Sequence, residues 1–203
     1  YMLWSLSQYQ LSHSVFPLGD LTKPEIRKIG EDNGFIIAHK SDSQDICFVP
    51  DGDYASFIEQ ELGEKYPAGD YIDEDGNILG RHKGIIHYTI GQRKGLGISM
   101  GRHIFVTEKD AESNTVTLAD EDRLFTKSVV IKGINLIPFD TFEGKIRVKA
   151  KIRYRHAESD AYAEQTDIDE ITLTFDEPQR APAKGQSAVM YDGDYVIGGG
   201  IIQ

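Results

Sequence analysis

Apolar and polar positions along the chain follow two regimes, helical spacing at the front and alternation or short apolar runs behind it. In "YMLWSLSQYQL" the residues Leu3, Leu6 and Leu11 fall near helical spacing and predict a helix with no start signal before it. "TKPEIRKIGEDNG" predicts a second helix of about three turns. Thr22 and Glu25 form its capping box, Pro24 is tolerated in its first turn, and Gly34 is its stop. "DYASFIEQEL" predicts a third helix, from about Asp53 to Gly63. Between the last two, the apolar runs in "GFIIAHK" and "DICFVP" read as short buried strands.

Beyond residue 63 the pattern is β throughout. "YIDEDGNILG" sets an Asp75-Gly76 turn between two strand-like arms, and "HIFVTEKDAESNTVTLAD" predicts a hairpin with a longer loop around Ser113 and Asn114. "SVVIKGINLI", "KIRVKAKIRYR", "EITLTF", "QSAVMY" and "DYVIGGGII" then follow at short spacing, with Gly, Pro and Asp between them, as in a small barrel. The fold class is a mixed α/β start followed by mainly β structure. The expected divisions are residues 1–63, a central β-rich domain at 64–125 and a C-terminal β-barrel at 126–203.

The segment from Lys145 to Arg155 carries the sharpest alternation. Lys145, Arg147, Lys149, Lys151, Arg153 and Arg155 occupy the odd positions, with Ile146, Val148, Ala150, Ile152 and Tyr154 between them. As one strand this would set six cations on one face over about 33 Å. Like charges on one face repel, so a compensating partner is required. Either a polyanion supplies it or nearby acids do, Glu158, Asp160, Glu164 and Asp167 being the nearest in sequence. Six cations in a row favour nucleic acid.

Charge bears on that choice. The chain has 22 Lys and Arg against 33 Asp and Glu, a formal charge of −11, which excludes indiscriminate binding to nucleic acid. The cations are nevertheless clustered. No Asp or Glu occurs from Gly80 to Thr107, which holds Arg81, Lys83, Arg93, Lys94 and Arg102, nor from Lys145 to His156. Two basic segments in an acidic chain suit selective docking on a polyanion. No apolar run approaches a membrane span and no secretion signal is present, so a cytoplasmic location without membrane contact is expected. His82, His87 and His103 lack metal-ligand spacing and read as surface or core histidines, and no metal site is expected. In "YTIGQRKGLG" the glycines Gly91, Gly95 and Gly97 allow close backbone approach; a turn packing one domain on another is the favoured reading.

Cys47, in "KSDSQDICFV", is the one cysteine of 203 residues, so no internal disulfide can form. Flanked by Ile46, Phe48 and Val49, it reads by default as a small core hydrophobe. A reactive thiol needs positive or hydrogen-bonding surroundings; Lys40 would favour the thiolate and Asp45 oppose it.

"SDSQDICFV", "GRHKGIIHYTIGQRKGLGI", "KIRYRH" and "AKGQSAVMYDGDYVIGGGII" resemble, in that order and spacing, the tRNA-specific 2-thiouridylase family. "YMLWSLSQYQLSHSVFPLGDLTKPEIRKI" is similar to the family's segment just upstream of the cysteine. The resemblance implies that residues 1–63 are the end of an α/β catalytic domain. The family's Ser-Gly-Gly ATP pyrophosphatase loop and its first catalytic cysteine are expected before residue 1. Cys47 is implied as the persulfide carrier that delivers sulfur to C2 of a wobble uridine adenylated with ATP. A cysteine desulfurase or sulfur-relay protein is implied as sulfur donor, and tRNA as substrate. Arg153, Tyr154 and Gln186 match the family's tRNA contacts, with Lys149, Lys151 and Arg155 as weaker candidates. This chain alone is expected to be inactive. Two other readings stay open: a non-catalytic RNA-binding β module, which predicts RNA affinity with an inert thiol, and a sulfur-relay protein, which predicts a reactive thiol without RNA.

Overall fold

The computed structural model describes residues 1–39, 49 and 52–203. Cys47, its neighbours Lys40 and Asp45, and the strand expected in "DICFVP" apart from Val49 lie outside the described residues. The chain divides into two compact units, one formed by Tyr1–Gln8 with Lys65–Gln203, the other by Tyr9–Glu64.

In the Tyr9–Glu64 unit the expected helices form. Helix α2, Lys23–Asp32, has both halves of the Thr22/Glu25 capping box: the Glu25 carboxylate accepts from the Thr22 backbone N–H at 2.7 Å. The Thr22 hydroxyl, which donates to the same carboxylate at 2.6 Å, and then the backbone bond hold the Glu25 carboxyl below its usual range. Helix α3, Tyr54–Leu62, starts on the Asp53 side chain, which accepts from Ser56 N–H at 3.1 Å, and stops at Gly63 in the left-handed region. The strand expected in "GFIIAHK" is instead a short 3-10 turn, Ile36–His39. Phe35 N–H returns to Gly30 O at 2.8 Å, and a Cβ on Gly30 would lie 3.1 Å from that of Ala38. This folds the run back on α2, leaving Ile36 98% exposed. The front helix is also broken, into a 3-10 turn at Met2–Ser5 and helix α1 at Gln8–Ser12, with Leu6 extended between them.

The larger unit begins with a four-stranded sheet in the order β2-β1-β4-β3. Its strands are β1 (Gly69–Ile72), β2 (Ile78–His82), β3 (Phe105–Asp110) and β4 (Thr115–Ala119). Both expected hairpins are there. In the first turn the Asp73 carboxylate accepts from the backbone N–H groups of Asp75 and Asn77, and Gly76 supplies φ +83°. Strand β1 joins the second hairpin in parallel, Tyr71 opposite Val116. Tyr71, Tyr88, Leu96, Ile104, Val106, Val116 and Leu118 form the core of this sheet. His82 is buried there; its Nδ1 accepts from Gly84 N–H and its Nε2 meets Asn114 O at 3.1 Å, so it is a core histidine.

Six strands then close a barrel in the order β10-β5-β8-β7-β6-β9. They are β5 (Phe125–Leu136), β6 (Lys145–Lys151), β7 (Ser159–Asp167), β8 (Glu170–Arg180), β9 (Ser187–Asp192) and β10 (Tyr195–Ile202). Small residues face large ones across the ladders, Ala161 opposite Phe175, Ala163 opposite Leu173 and Ala150 opposite Met190. The narrow interior is filled in this way without crowding. Residues 1–8 are strapped to the outside of this barrel. Trp4 packs with Val189 and Tyr191, and Asn135 Nδ2 donates to the carbonyls of Trp4 and Leu6. Gly199 makes the seat: a Cβ there would lie 2.9 Å from the indole and 2.6 Å from Ala188 O. No helix among the described residues is long and apolar enough to cross a membrane.

Candidate functional site

Strand β6 is shorter than its alternation suggests. It pairs with β7 and β9 as far as Lys151, and residues 152–155 leave the ladder as bends and turns. The expected single face of six cations is therefore divided. On the strand, Lys145, Arg147 and Lys149 point outward while Val148 and Ala150 enter the core. Two of these cations are answered within the barrel. Lys145 Nζ lies 3.4 Å from Glu164, its partner in register. Arg147 holds both oxygens of Asp176 at 2.8 and 2.5 Å and lies 3.6 Å from Asp160. Arg147 holds the Asp176 carboxyl below the usual carboxylate range. Asp176 comes from β8, two strands away, which sequence proximity could not indicate. Lys149 and Lys151 have no ion pair among the described residues.

The antiparallel register places the remaining candidates at one end of the barrel. Lys151 faces Val189, Ala150 faces Ser159, Ile201 faces Ser187, and Phe125 faces Arg180. The end of β6, the starts of β5, β7 and β9, and the ends of β8 and β10 thus share one rim. Arg153, Tyr154, Arg155 and Gln186 lie in loops on it.

Ile152, almost wholly buried, anchors the turn after β6, and His156 N–H closes it on Arg153 O at 3.2 Å. Tyr154 is 66% exposed; its ring meets the edge of Tyr1 at 5.8 Å between centroids. Tyr1 is fixed in turn by its hydroxyl, which donates to Ser187 O at 2.6 Å. The N-terminal strap thereby braces one side of an aromatic face that is otherwise open, a form suited to stacking on an unpaired base. Arg155 is exposed.

Arg153 is half-buried. Its Nη2 donates to Ala181 O at 2.5 Å, and its Nε is buried without a partner. Arg180, at the end of β8, sets its guanidinium 5.5 Å over the Phe105 ring and its Nε 3.2 Å from Glu121. Burial, then the charge of Arg180, holds the Arg153 guanidinium below the usual arginine range. His156 is held low by burial, then by Arg153 and Arg180. Arg180 thus bears on both Arg153 and His156, and Glu121 is the one carboxylate among the described residues paired with either arginine. Sequence reading named Arg153 but missed Arg180 and His156. Only the pairing of β5 with β8 brings Arg180 round to this rim.

Gln186 is exposed in a turn closed by its own N–H on Ala183 O, while its carbonyl accepts from Ile202 N–H at 2.8 Å. It lines a cavity of about 830 Å³ between the four-stranded sheet and the barrel, together with Lys109, Lys132 and Lys184. Lys109 donates to Tyr88 O at 2.8 Å, and burial holds its ammonium below the usual lysine range. Lys132 is paired with Glu170 at 3.2 Å. The turn in "YTIGQRKGLG" has a structural role. Gly91 N–H donates to Val106 O, and a Cβ on Gly91 would lie 3.1 Å from that of Ala181 across the junction with the barrel. Among the described residues, no cluster of three or more His, Cys, Asp and Glu could hold a metal ion.

Three family models match consecutive parts of the chain. A tRNA methyl transferase HUP domain matches residues 1–51, a tRNA methyl transferase PRC-barrel domain residues 55–120, and an aminomethyltransferase β-barrel domain residues 126–202. Proteins named tRNA-specific 2-thiouridylase MnmA from Acetivibrio thermocellus and Clostridioides difficile are each 48% identical over all 203 residues. One from Lachnoclostridium phytofermentans is 48% identical over 202. The chain spans 56–57% of the length of these relatives.

Proposed function

The chain belongs to the tRNA-specific 2-thiouridylase family, and from that premise we propose that it acts, within a full-length enzyme, in forming 2-thiouridine at the wobble position of tRNA. The observation that carries the reading is the unbroken similarity over all 203 residues, through the segment that holds Cys47. Cys47 carries the sulfane sulfur as a persulfide. ATP activates the uracil C2 oxygen as a leaving group at a site in the remainder of the protein. The terminal sulfur forms the bond to C2 as the activated oxygen departs with AMP; a second cysteine thiolate then attacks Cys47 Sγ, the S–S bond breaks with the transferred sulfur staying on C2, and the two cysteines are left as a disulfide for reductant to clear. The sulfur comes from a cysteine desulfurase or a sulfur-relay protein, in the cytoplasm.

Residues 126–203 are the tRNA-docking barrel, 64–125 its supporting domain, and 1–63 the end of the catalytic domain. Docking uses the rim, with Tyr154 stacking on a base, Arg153 and Lys151 meeting phosphates, and Gln186 contacting the RNA from the neighbouring turn; Lys149 and Arg155 contribute charge. The exposure of Tyr154 and the absence of any described ion pair on Lys151 support this placement.

The test is Cys47→Ser in the full-length protein, read by mass analysis of tRNA from cells that carry it. Loss of 2-thiouridine with unchanged thermal stability and tRNA affinity is expected, because Ser is close in size and carries no sulfane sulfur. Normal 2-thiouridine would overturn the role of Cys47 and leave the RNA-binding module as the reading.

A further inference from the structure

We propose that Arg180 joins Arg153 in a site for a single RNA phosphodiester on the barrel rim, a deepening that rests on the docking reading above. The two arginines come from different elements of the rim. Arg153, in the turn after β6, donates to the carbonyl of Ala181, the residue that directly follows Arg180 at the end of β8. Ala181 itself is buried with φ +53°, and its N–H is tied to Leu124 O. The linker between the two cations is thus fixed.

Charge defines the ligand. Among the described residues Glu121 is the one carboxylate paired with either guanidinium, and it pairs with Arg180 alone. Two cations and one carboxylate leave one positive charge, which one phosphodiester matches. The chemistry agrees, since a guanidinium presents paired N–H donors that fit the two non-bridging oxygens of a phosphate. Arg153 has no carboxylate partner among the described residues, and its charge is opposed by Arg180 rather than neutralised; its Nε is buried, so the Nη side of the fork is what an anion can reach. His156 closes the same turn through its N–H on Arg153 O and is held low by burial, then by Arg153 and Arg180, so it reports on an anion that enters. Arg180 is held for this purpose by Glu121 on one side and the Phe105 ring on the other.

The experiment titrates a fluorescent RNA hairpin with an unpaired loop into the 203-residue chain over a range of salt. It compares the unmodified chain with Arg180→Gln, Arg153→Gln, the double variant and Arg180→Lys, each checked by thermal melting. Arg180→Gln is expected to lower the slope of log affinity against log salt by roughly 0.7 to 0.9, the share of one neutralised phosphate. Arg153→Gln lowers it equally, and the double variant lowers it little further, because both residues serve one phosphate. Arg180→Lys keeps the slope and weakens the affinity, since an ammonium has no fork. The His156 imidazole titrates at higher pH once RNA is bound. An unchanged slope and affinity in Arg180→Gln, with Arg153→Gln impaired, overturns the paired site and leaves rim docking intact. Additive losses in the double variant likewise overturn the shared phosphate. If Arg180→Gln does not fold, Arg180→Lys decides, and an affinity equal to that of the unmodified chain overturns the site. Failure of the unmodified chain to bind the hairpin at any salt overturns the docking reading and this site with it.

Discussion

Lys145 and Arg147 on the outer face of β6 belong to the same alternating run as Arg153 in the turn beyond it, yet their surroundings differ in kind. On the strand each cation has cross-strand neighbours at fixed positions, and β7 and β8 fill them with Glu164, Asp160 and Asp176. Opposite charges at such positions stabilise a sheet, and the cations used in this way are withdrawn from any outside anion. In the turn the ladder has ended. Arg153 meets a carbonyl and a second guanidinium instead of a carboxylate, and Tyr154 turns its ring outward. Period-2 alternation therefore shows where cations can line up, whereas the neighbouring strands determine which of them remain available to an outside anion.

The largest expected effect comes from the strap that braces the rim. Trp4→Ala removes a nearly buried indole from its seat on Gly199 and should cost about 3–5 kcal/mol of unfolding free energy, in the range for Trp truncation. It should also release Tyr1 from Tyr154. Denaturant unfolding of the variant checks this, and a loss below about 1 kcal/mol would show that residues 1–8 do not hold the barrel.

Tyr154→Ala sharpens the comparison at the rim itself. A base stacked on this ring accounts for about 1–3 kcal/mol, so RNA affinity should fall by roughly 5- to 150-fold with its salt slope unchanged and the melting temperature nearly unaffected. Equal affinity for the variant and the unmodified chain would place the bases elsewhere.

The smallest effect belongs to the strand. Asp176 has its folded-state pKa depressed by Arg147, so the stability it adds is present above the ordinary aspartate pKa and is lost as pH falls through the depressed value. Asp176→Asn should remove that part of the acid sensitivity and lower the melting temperature only slightly at neutral pH, because the pair is exposed; RNA binding should stay unchanged, because Asp160 still faces Arg147 and docking uses the rim. Strengthened RNA binding in this variant, with Arg147 released to a phosphate, would show that the strand face takes part in docking after all.

Local signals with a mechanism were legible in the sequence. The Thr22/Glu25 capping box and the Asp75-Gly76 turn each fix a few neighbouring dihedrals and appear where expected, as do five of the six barrel strands; β7, Ser159–Asp167, was missed because Ala161 and Ala163 are its only core-facing residues and give little apolar signal. Signals that depend on a distant partner were not. "GFIIAHK" has the composition of a strand, but Gly30 lets Ala38 approach α2 and the run closes on the helix instead. The end of β6 at Lys151 is invisible to an alternation that continues to Arg155. Asp176 and Arg180 both lie on β8, and only barrel closure brings one to Arg147 and the other to Arg153. The seat at Gly199 was not legible either, because its partner Trp4 is at the other end of the chain.

Two double variants set side by side test the division between strand and rim most directly. Lys151→Gln with Arg153→Gln removes two rim cations, and Lys145→Gln with Arg147→Gln removes the two that the barrel already neutralises. Removing one cation that neutralises a phosphate should lower the salt slope of binding by roughly 0.7 to 0.9. Titration of an anticodon stem-loop RNA at several salt concentrations is expected to show a slope lowered by roughly 1.4 to 1.8 for the rim variant, the effect of two such cations, and a slope like that of the unmodified chain for the strand variant. A lowered slope for the strand variant with an unchanged one for the rim variant would contradict the account.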